Sequence, residues 1–236
     1  HGQKADQLPG QRSMTNPEDR KYMCEFWGLP EDELPEAGVS VVEMYEKMRE
    51  GEIKGLISTC NNGMVSLPDV NAIRQSLEGL EFYVNIDFFM SESSRFADVV
   101  LPTTTWAEDE GVTASAEARV VKINKAIDPV GESKPDWWIA KEIARRMGRE
   151  KYFKFDTPRE IFDELRAASK GGKADYYGIT YEKIDAQNGV MWPCPTEESK
   201  GTPRMFEDKK FYHPDGKAKF FAIEYKGPAE VPDEEY

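Results

Sequence analysis

The chain has 236 residues, 39% of them hydrophobic, and a net charge of −13, which allows one large domain or two small ones with a polar rim. The acidic balance repels phosphate backbones and argues against free nucleic acid as a partner. No stretch reaches the ~18 to 20 consecutive apolar residues of a membrane helix. Three cysteines (Cys24, Cys60, Cys194) without CxxC spacing, and two histidines (His1, His213), argue against a disulfide framework or a zinc-type site within the chain. His213 lies in the turn-like run Tyr212-His213-Pro214-Asp215-Gly216, a poor setting for a Ser-His-Asp hydrolase. No basic-then-apolar leader is present, so the expected compartment is the cytoplasm, with the periplasm as alternative. The chain begins at His1 and ends on the acidic run Pro232-Asp233-Glu234-Glu235-Tyr236, which reads as an excerpt of something longer.

In chain order, residues 1–15 lack periodicity and read as irregular. Asn16-Pro17-Glu18-Asp19 opens a helix that stops near Gly28: Asn16 caps, Pro17 suits the first helical position, and the acids suit the dipole. Ser40-Val41-Val42-Glu43 is a capping box before a helix with Val41, Met44, Tyr45 and Met48 on one face, closed by Gly51. Strand-like runs at 55–59, 82–86 and 98–101 then alternate with helical runs at 69–80 and 91–97. Short apolar strands separated by helices predict an α/β fold, doubly wound, with a mainly parallel sheet flanked by helices. A firm helix follows at 136–147, then a second capping box, Thr157-Pro158-Arg159-Glu160. After Lys170 turn signals dominate, predicting an irregular carboxy-terminal excursion that packs on a neighbour. The expected domains are a lead-in of two helices at 1–50, an α/β domain at 51–150, and a helix plus excursion at 151–236.

Ligands of an open parallel sheet bind beyond the carboxyl ends of its strands. Three loops leave such ends: Cys60 to Met64, the segment from Asp87, and Thr103 to Gly111. A carboxylate at Asp87 can take paired donors from ribose hydroxyls or a guanine edge, or can cap the following turn. Asn61 and Asn62 can serve a ligand or form an Asx-turn. Glu108, Asp109 and Glu110 could suggest an acid pair or a hard-metal site, but read more simply as a solvated run. Cys60 at a strand end could be a nucleophile or a ligand, but with no histidine near it in sequence it reads as a buried structural thiol. Trp106, Trp137, Trp138 and Trp192 read as core or packing residues rather than a stacking platform. No GxGxxG is present, so a standard dinucleotide fingerprint is absent. No catalytic and no metal-ligating residue is assigned within the chain.

Several motifs together resemble a known family. Leu8-Pro9-Gly10, Asn16-Pro17 through Arg20, Trp27-Gly28-Leu29-Pro30 and Val41-Val42-Glu43-Met44 are similar to the stretch ahead of the third domain in assimilatory and periplasmic nitrate reductases. Cys60-Asn61-Asn62 up to Ser66-Leu67-Pro68-Asp69 resembles a loop usually written Thr-Asn-Pro followed by Ser-x-Pro. Ala97-Asp98-Val99-Val100-Leu101-Pro102 and Trp106-Ala107-Glu108-Asp109-Glu110-Gly111 are close to the most recognisable signature of the family. Pro135-Asp136-Trp137 continues the likeness. Trp192-Pro193-Cys194-Pro195 with Asp215-Gly216-Lys217-Ala218 does so too, and is shared with formate dehydrogenases. The chain thus resembles the molybdopterin oxidoreductases over essentially its whole length.

The resemblance implies a catalytic-subunit fragment that binds one guanine dinucleotide of a molybdenum bis-molybdopterin guanine dinucleotide cofactor. By position, Asn62, Asp87 and Asp136 match residues that contact this dinucleotide, and Ile86 matches a neighbour that contacts it through its backbone. Asp109 stands at a further contact position where family members often carry Lys or His, and Ser115-Ala116-Glu117-Ala118-Arg119 departs from the usual Asn-x-Glu-Arg-Arg. The likeness further implies a [4Fe-4S] cluster and a metal-ligating Cys or selenocysteine upstream, and a closing barrel domain after Tyr236. The implied partners are the remaining domains of the same subunit and an electron-donor subunit or redox protein. The implied reaction is reduction of nitrate to nitrite by the whole enzyme, the fragment alone being inactive. The alternatives are a formate dehydrogenase and, from another class, a stand-alone nucleotide-binding or structural domain.

Overall fold

The computed structural model describes residues 7–228, and both ends of the chain noted above, His1 and the acidic run 232–236, lie outside them. Two compact units divide the described residues, 7–202 and 203–228.

The lead-in opens with a small antiparallel pair, β1 (Gln7–Leu8) and β2 (Arg12–Ser13). Helix α1 (Pro17–Trp27) follows as its signals predict: Asn16 Oδ1 accepts from the backbone N–H groups of Glu18 (2.8 Å) and Asp19 (3.3 Å), and Gly28 ends it at φ 63°. Helix α2 (Val41–Arg49) starts on Ser40, whose side chain accepts from the Glu43 N–H. Its inward face is narrower than expected, with Tyr45 and Met48 buried and Val41 exposed.

The central layer is a parallel sheet of β3 (Gly55–Thr59), β4 (Phe82–Asp87) and β5 (Val99–Pro102), in that order. The short helix α3 (Gly63–Ser66) and the longer α4 (Val70–Glu78) link β3 to β4, and a 3-10 turn at Ser93–Phe96 links β4 to β5. Successive side chains of β4 point to opposite faces. Tyr83 packs with Tyr45, Met48, Ile73 and Leu77 beneath α2 and α4. Val84 and Ile86 pack with Leu101 on the opposite face, against Ile139 and Ile143. Those two isoleucines belong to α5 (Asp136–Arg146), so helices cover both faces and the doubly wound reading holds.

Two antiparallel strands between these parts had no sequence-based expectation. Strand β6 (Gly111–Ala114) pairs with β7 (Arg119–Ile123), and β7 pairs in turn with β8 (Val190–Met191). This sheet rests on α6 (Pro158–Ser169) and α7 (Tyr181–Gln187) through a second core of Val120, Phe162, Ile179, Ile184, Val190 and Cys194. Helix α6 carries both halves of its predicted capping box: Thr157 Oγ1 accepts from the Glu160 N–H, and Glu160 accepts from the Thr157 N–H.

The irregular excursion expected after Lys170 is therefore shorter than its turn signals suggest. Residues 171–202 contain α7, begun by Thr180 and ended by Asn188 at φ 52°, and they contribute to the second core. Residues 203–228 do lack helix and strand. His213 sits in the predicted turn, its carbonyl accepting from the Gly216 N–H at 2.8 Å.

Candidate functional site

The register of the parallel sheet brings its strand ends level, with Thr59 beside Ile86 and Asp87 beside Pro102. The loops leaving these ends therefore meet along one edge. Helix α5 adds its first residue, Asp136, to the same edge, where its amino-terminal dipole favours a carboxylate. Cys60, Thr105, Asp109, Glu110 and Asp136 line a cleft of about 380 Å³ here, at the small end of ligand-pocket sizes. A larger hollow, about 750 Å³, lies between residues 7–11 and 113–116, but its wall holds no carboxylate, thiol or cation.

Asp136 is held from two sides. The buried hydroxyl of Thr103 donates to its Oδ1 at 2.6 Å, and the Cys60 thiol donates to its Oδ2 at 3.7 Å. A carboxylate has about four lone-pair positions, so each oxygen keeps capacity for a further donor. Asp87 is nearly buried; its Oδ1 accepts from the Phe89 N–H at 3.2 Å, so the turn-capping role is realised. Its field reaches Cys60 as well, which leaves it close to the cleft. The Asp109 carboxyl is pushed up by desolvation first and by the like charges of Glu110 and Asp136, against the pull of the Glu110 N–H. The Trp137 indole N–H nearby, the smallest of these influences, pulls it down slightly.

Ile86 is buried, and its carbonyl accepts from the Cys60 N–H at 2.8 Å, fixing the start of the first loop. Asn62 stands apart from the cleft. Its Nδ2 donates to Glu92 at 2.7 Å, and its Oδ1 accepts from Ser93 Oγ (2.8 Å) and Ser93 N (3.2 Å). The structure thus brings Asp109 and Asp136 together in the cleft, sets Asp87 at the adjoining strand end, commits the Ile86 carbonyl to the Cys60 loop, and gives the Asn62 side chain to the neighbouring loop.

Three expectations change. Cys60 is exposed rather than buried, on the wall of the cleft and at φ 51°, because no distant part of the chain covers its loop. Glu108 is buried rather than solvated: it accepts from Thr105 N (2.8 Å), Thr105 Oγ1 (2.9 Å) and Val130 N (2.6 Å), stapling the third loop. These bonds hold its carboxyl below the usual range. Trp106, expected as a packing residue, is 76% exposed. Sequence reading also passed over Thr103; the hydroxyl run Thr103-Thr104-Thr105 at a strand end was the signal for it.

Partial desolvation pushes the Cys60 thiol up to about 11, with the fields of Asp136 and Asp87 adding to it. The thiolate is therefore scarce at pH 8, though each thiolate is more nucleophilic for its higher pKa. We expect iodoacetamide to label Cys60 before Cys24 and Cys194, which are buried. The rate should be roughly tenfold below that of the unfolded chain. Mass spectrometry of timed samples checks this. Labelling of Cys60 at the unfolded rate would contradict the described environment.

Chemically, the cleft presents carboxylates and no cationic side chain among its lining residues. It suits a ligand edge rich in N–H or O–H donors and disfavours a phosphate group.

The family model described as "Molybdopterin oxidoreductase" matches residues 10–146. The "Assimilatory nitrate reductase catalytic subunit" of Bacillus subtilis is 44% identical over 100% of this chain and 33% of its own length. The "F420-dependent formate dehydrogenase 1 subunit alpha" of Methanococcus maripaludis is 37% identical, over 97% of this chain and 32% of its own length. The chain thus spans about a third of the length of the curated relatives it matches. Among solved structures, "Acetylene Hydratase from Pelobacter acetylenicus" superposes with a TM-score of 0.59 at 19% identity, covering 84% of this chain and 26% of that one, a likeness of fold. With the family model covering more than half of its residues, the chain belongs to the molybdopterin oxidoreductase family.

Proposed function

We propose that this chain is the part of a molybdenum oxidoreductase catalytic subunit that cradles one guanine end of the bis-molybdopterin guanine dinucleotide cofactor. The observation that carries the reading is that Asp109 and Asp136 line one cleft at the carboxyl edge of a parallel sheet, with Asp87 ending the middle strand of that edge next to the lining residue Phe88. The guanine edge offers an N1–H and an amino group, and carboxylates are the acceptors that suit such donors. The donor chemistry therefore fits the base and its ribose hydroxyls, while the diphosphate belongs against other parts of the subunit. Asp136 and Asp87 would hold the base end, and Asn62 would fix the loop beside it through Glu92 and Ser93.

When bound, the cofactor supplies two-electron redox chemistry at its metal; this chain orients its nucleotide end. For the whole enzyme we favour nitrate reduction to nitrite, which consumes two electrons and two protons and releases water. The support is the 44% identity to a nitrate reductase catalytic subunit. A formate dehydrogenase is the second reading, favoured by the 37% identical methanogen subunit. Electrons would come from a donor subunit or redox protein, by way of a [4Fe-4S] cluster held outside this segment. Among the described residues no helix is long and apolar enough to cross a membrane.

The test is made on the full-length subunit that carries this segment. We expect molybdenum by elemental analysis and nitrate-dependent oxidation of a reduced viologen dye. Formate-dependent dye reduction without nitrate turnover would move the assignment to the second reading, and a purified subunit free of molybdenum and tungsten would remove both.

A further inference from the structure

The cleft has a feature that its carboxylates do not account for. Phe88 and Trp106 both line it, and both leave much of their rings in water, at 48% and 76% exposure. Exposed single apolar residues are ordinary. Two aromatic rings on the wall of one small acidic cleft are less so, and neither belongs to a loose segment. Phe88 follows Asp87 directly at the end of β4, and its ring leans on Phe89 with centroids 4.7 Å apart. Trp106 rides on the loop that Glu108 staples with three hydrogen bonds, two to Thr105 beside it and one to Val130. The backbone under each ring is held in advance, under Phe88 by the Phe89 N–H donating to Asp87 and under Trp106 by the Glu108 staple, so binding a ligand between them would cost little backbone ordering.

We infer that Phe88 and Trp106 are stacking jaws that grip the faces of a purine base whose donor edge is read by the neighbouring carboxylates. This rests on the function proposed above and adds its affinity element. Every base has a π-face, so stacking provides affinity with little regard to base identity, whereas the carboxylates provide the choice of guanine. The division of labour is chemical: an acidic cleft without cations gains nothing from phosphate, so an apolar grip on the base is the attraction left to it.

The experiment uses this chain with GDP, inorganic pyrophosphate and ADP, read by tryptophan fluorescence and calorimetry. GDP is expected to quench fluorescence saturably, pyrophosphate to leave it unchanged, and ADP to bind more weakly than GDP. Trp106→Ala should abolish the main quench and weaken GDP by about 5- to 100-fold, the range for loss of one base stack. Trp106→Phe should restore affinity to within a few-fold, because a ring is back in place. Phe88→Leu, which keeps apolar bulk without a π-face, should also weaken GDP. GDP affinity unchanged in both Trp106→Ala and Phe88→Leu would overturn the jaws and leave the guanine cradle standing. No GDP binding by the folded wild-type chain would overturn both.

Discussion

Asp136→Ala is expected to lower the affinity of the chain for GDP by about 10- to 100-fold while leaving it folded. A hydrogen bond to a charged group contributes about 1.5–3 kcal/mol, and about 1.4 kcal/mol corresponds to tenfold in affinity. Asp136 is the best oriented of the cleft acids, with Thr103 Oγ1 fixing one oxygen and the Cys60 thiol the other. Its loss removes a ligand acceptor and also frees the Thr103 hydroxyl to compete for the space. Helix α5 loses its first-turn acid, a change of about 0.3–1 kcal/mol, too little to unfold the domain. Asp136→Asn keeps the shape and one acceptor oxygen, so it should fall between wild type and alanine. Calorimetry with circular dichroism on the same samples checks both. An Asp136→Ala protein that binds GDP like wild type would remove Asp136 from the cradle.

The second large effect lies beneath the cleft. Asn85 is fully buried in the middle strand of the sheet. Its Nδ2 donates to Ser58 Oγ (2.8 Å) and Tyr83 OH (3.0 Å), and its Oδ1 accepts from Ser94 Oγ (2.7 Å). Ser94 is bonded in turn to Ser91, whose N–H and hydroxyl both meet its Oγ. One amide therefore ties β3, β4 and the 3-10 turn into a single network under the ligand loops. Asn85→Leu should cost about 3–5 kcal/mol, because it leaves buried hydroxyls unpaired as well as removing bonds. Ser94→Ala, which removes a smaller part of the network, should cost about 1–2 kcal/mol. Urea denaturation gives both numbers. An Asn85→Leu loss below about 1 kcal/mol would show that the network contributes little to the fold.

Helices α1 and α6 were legible because their caps are local: Asn16 and Thr157 bond to amides two or three residues away. Strands β3 and β4 were legible because each is a short apolar run between breakers. The β6–β7 hairpin was not, because its four- and five-residue strands pair across the Ser115–Ala118 turn, which carries no glycine or proline. Helix α7 was hidden by the glycines around it. Asp87 was legible because strand-end loops can be located from strands alone, whereas Asp136, at a helix start, and Asp109, in an acidic run, were reached only through the family likeness. What those loops fold against could not be read: the Asn62 amide is taken by Glu92 and Ser93, 30 and 31 residues away, and Glu108 by a backbone amide 22 residues on. Cys60 and Trp106 were misplaced for the same reason, since burial of a loop residue is settled by distant parts of the chain.

The central claim, that this chain is a guanine cradle, is tested most directly by calorimetric titration of the folded wild-type chain with GDP. The account predicts saturable one-to-one binding, tighter than ADP and insensitive to competing pyrophosphate. Absence of heat with GDP, or equal affinity for ADP, would contradict it.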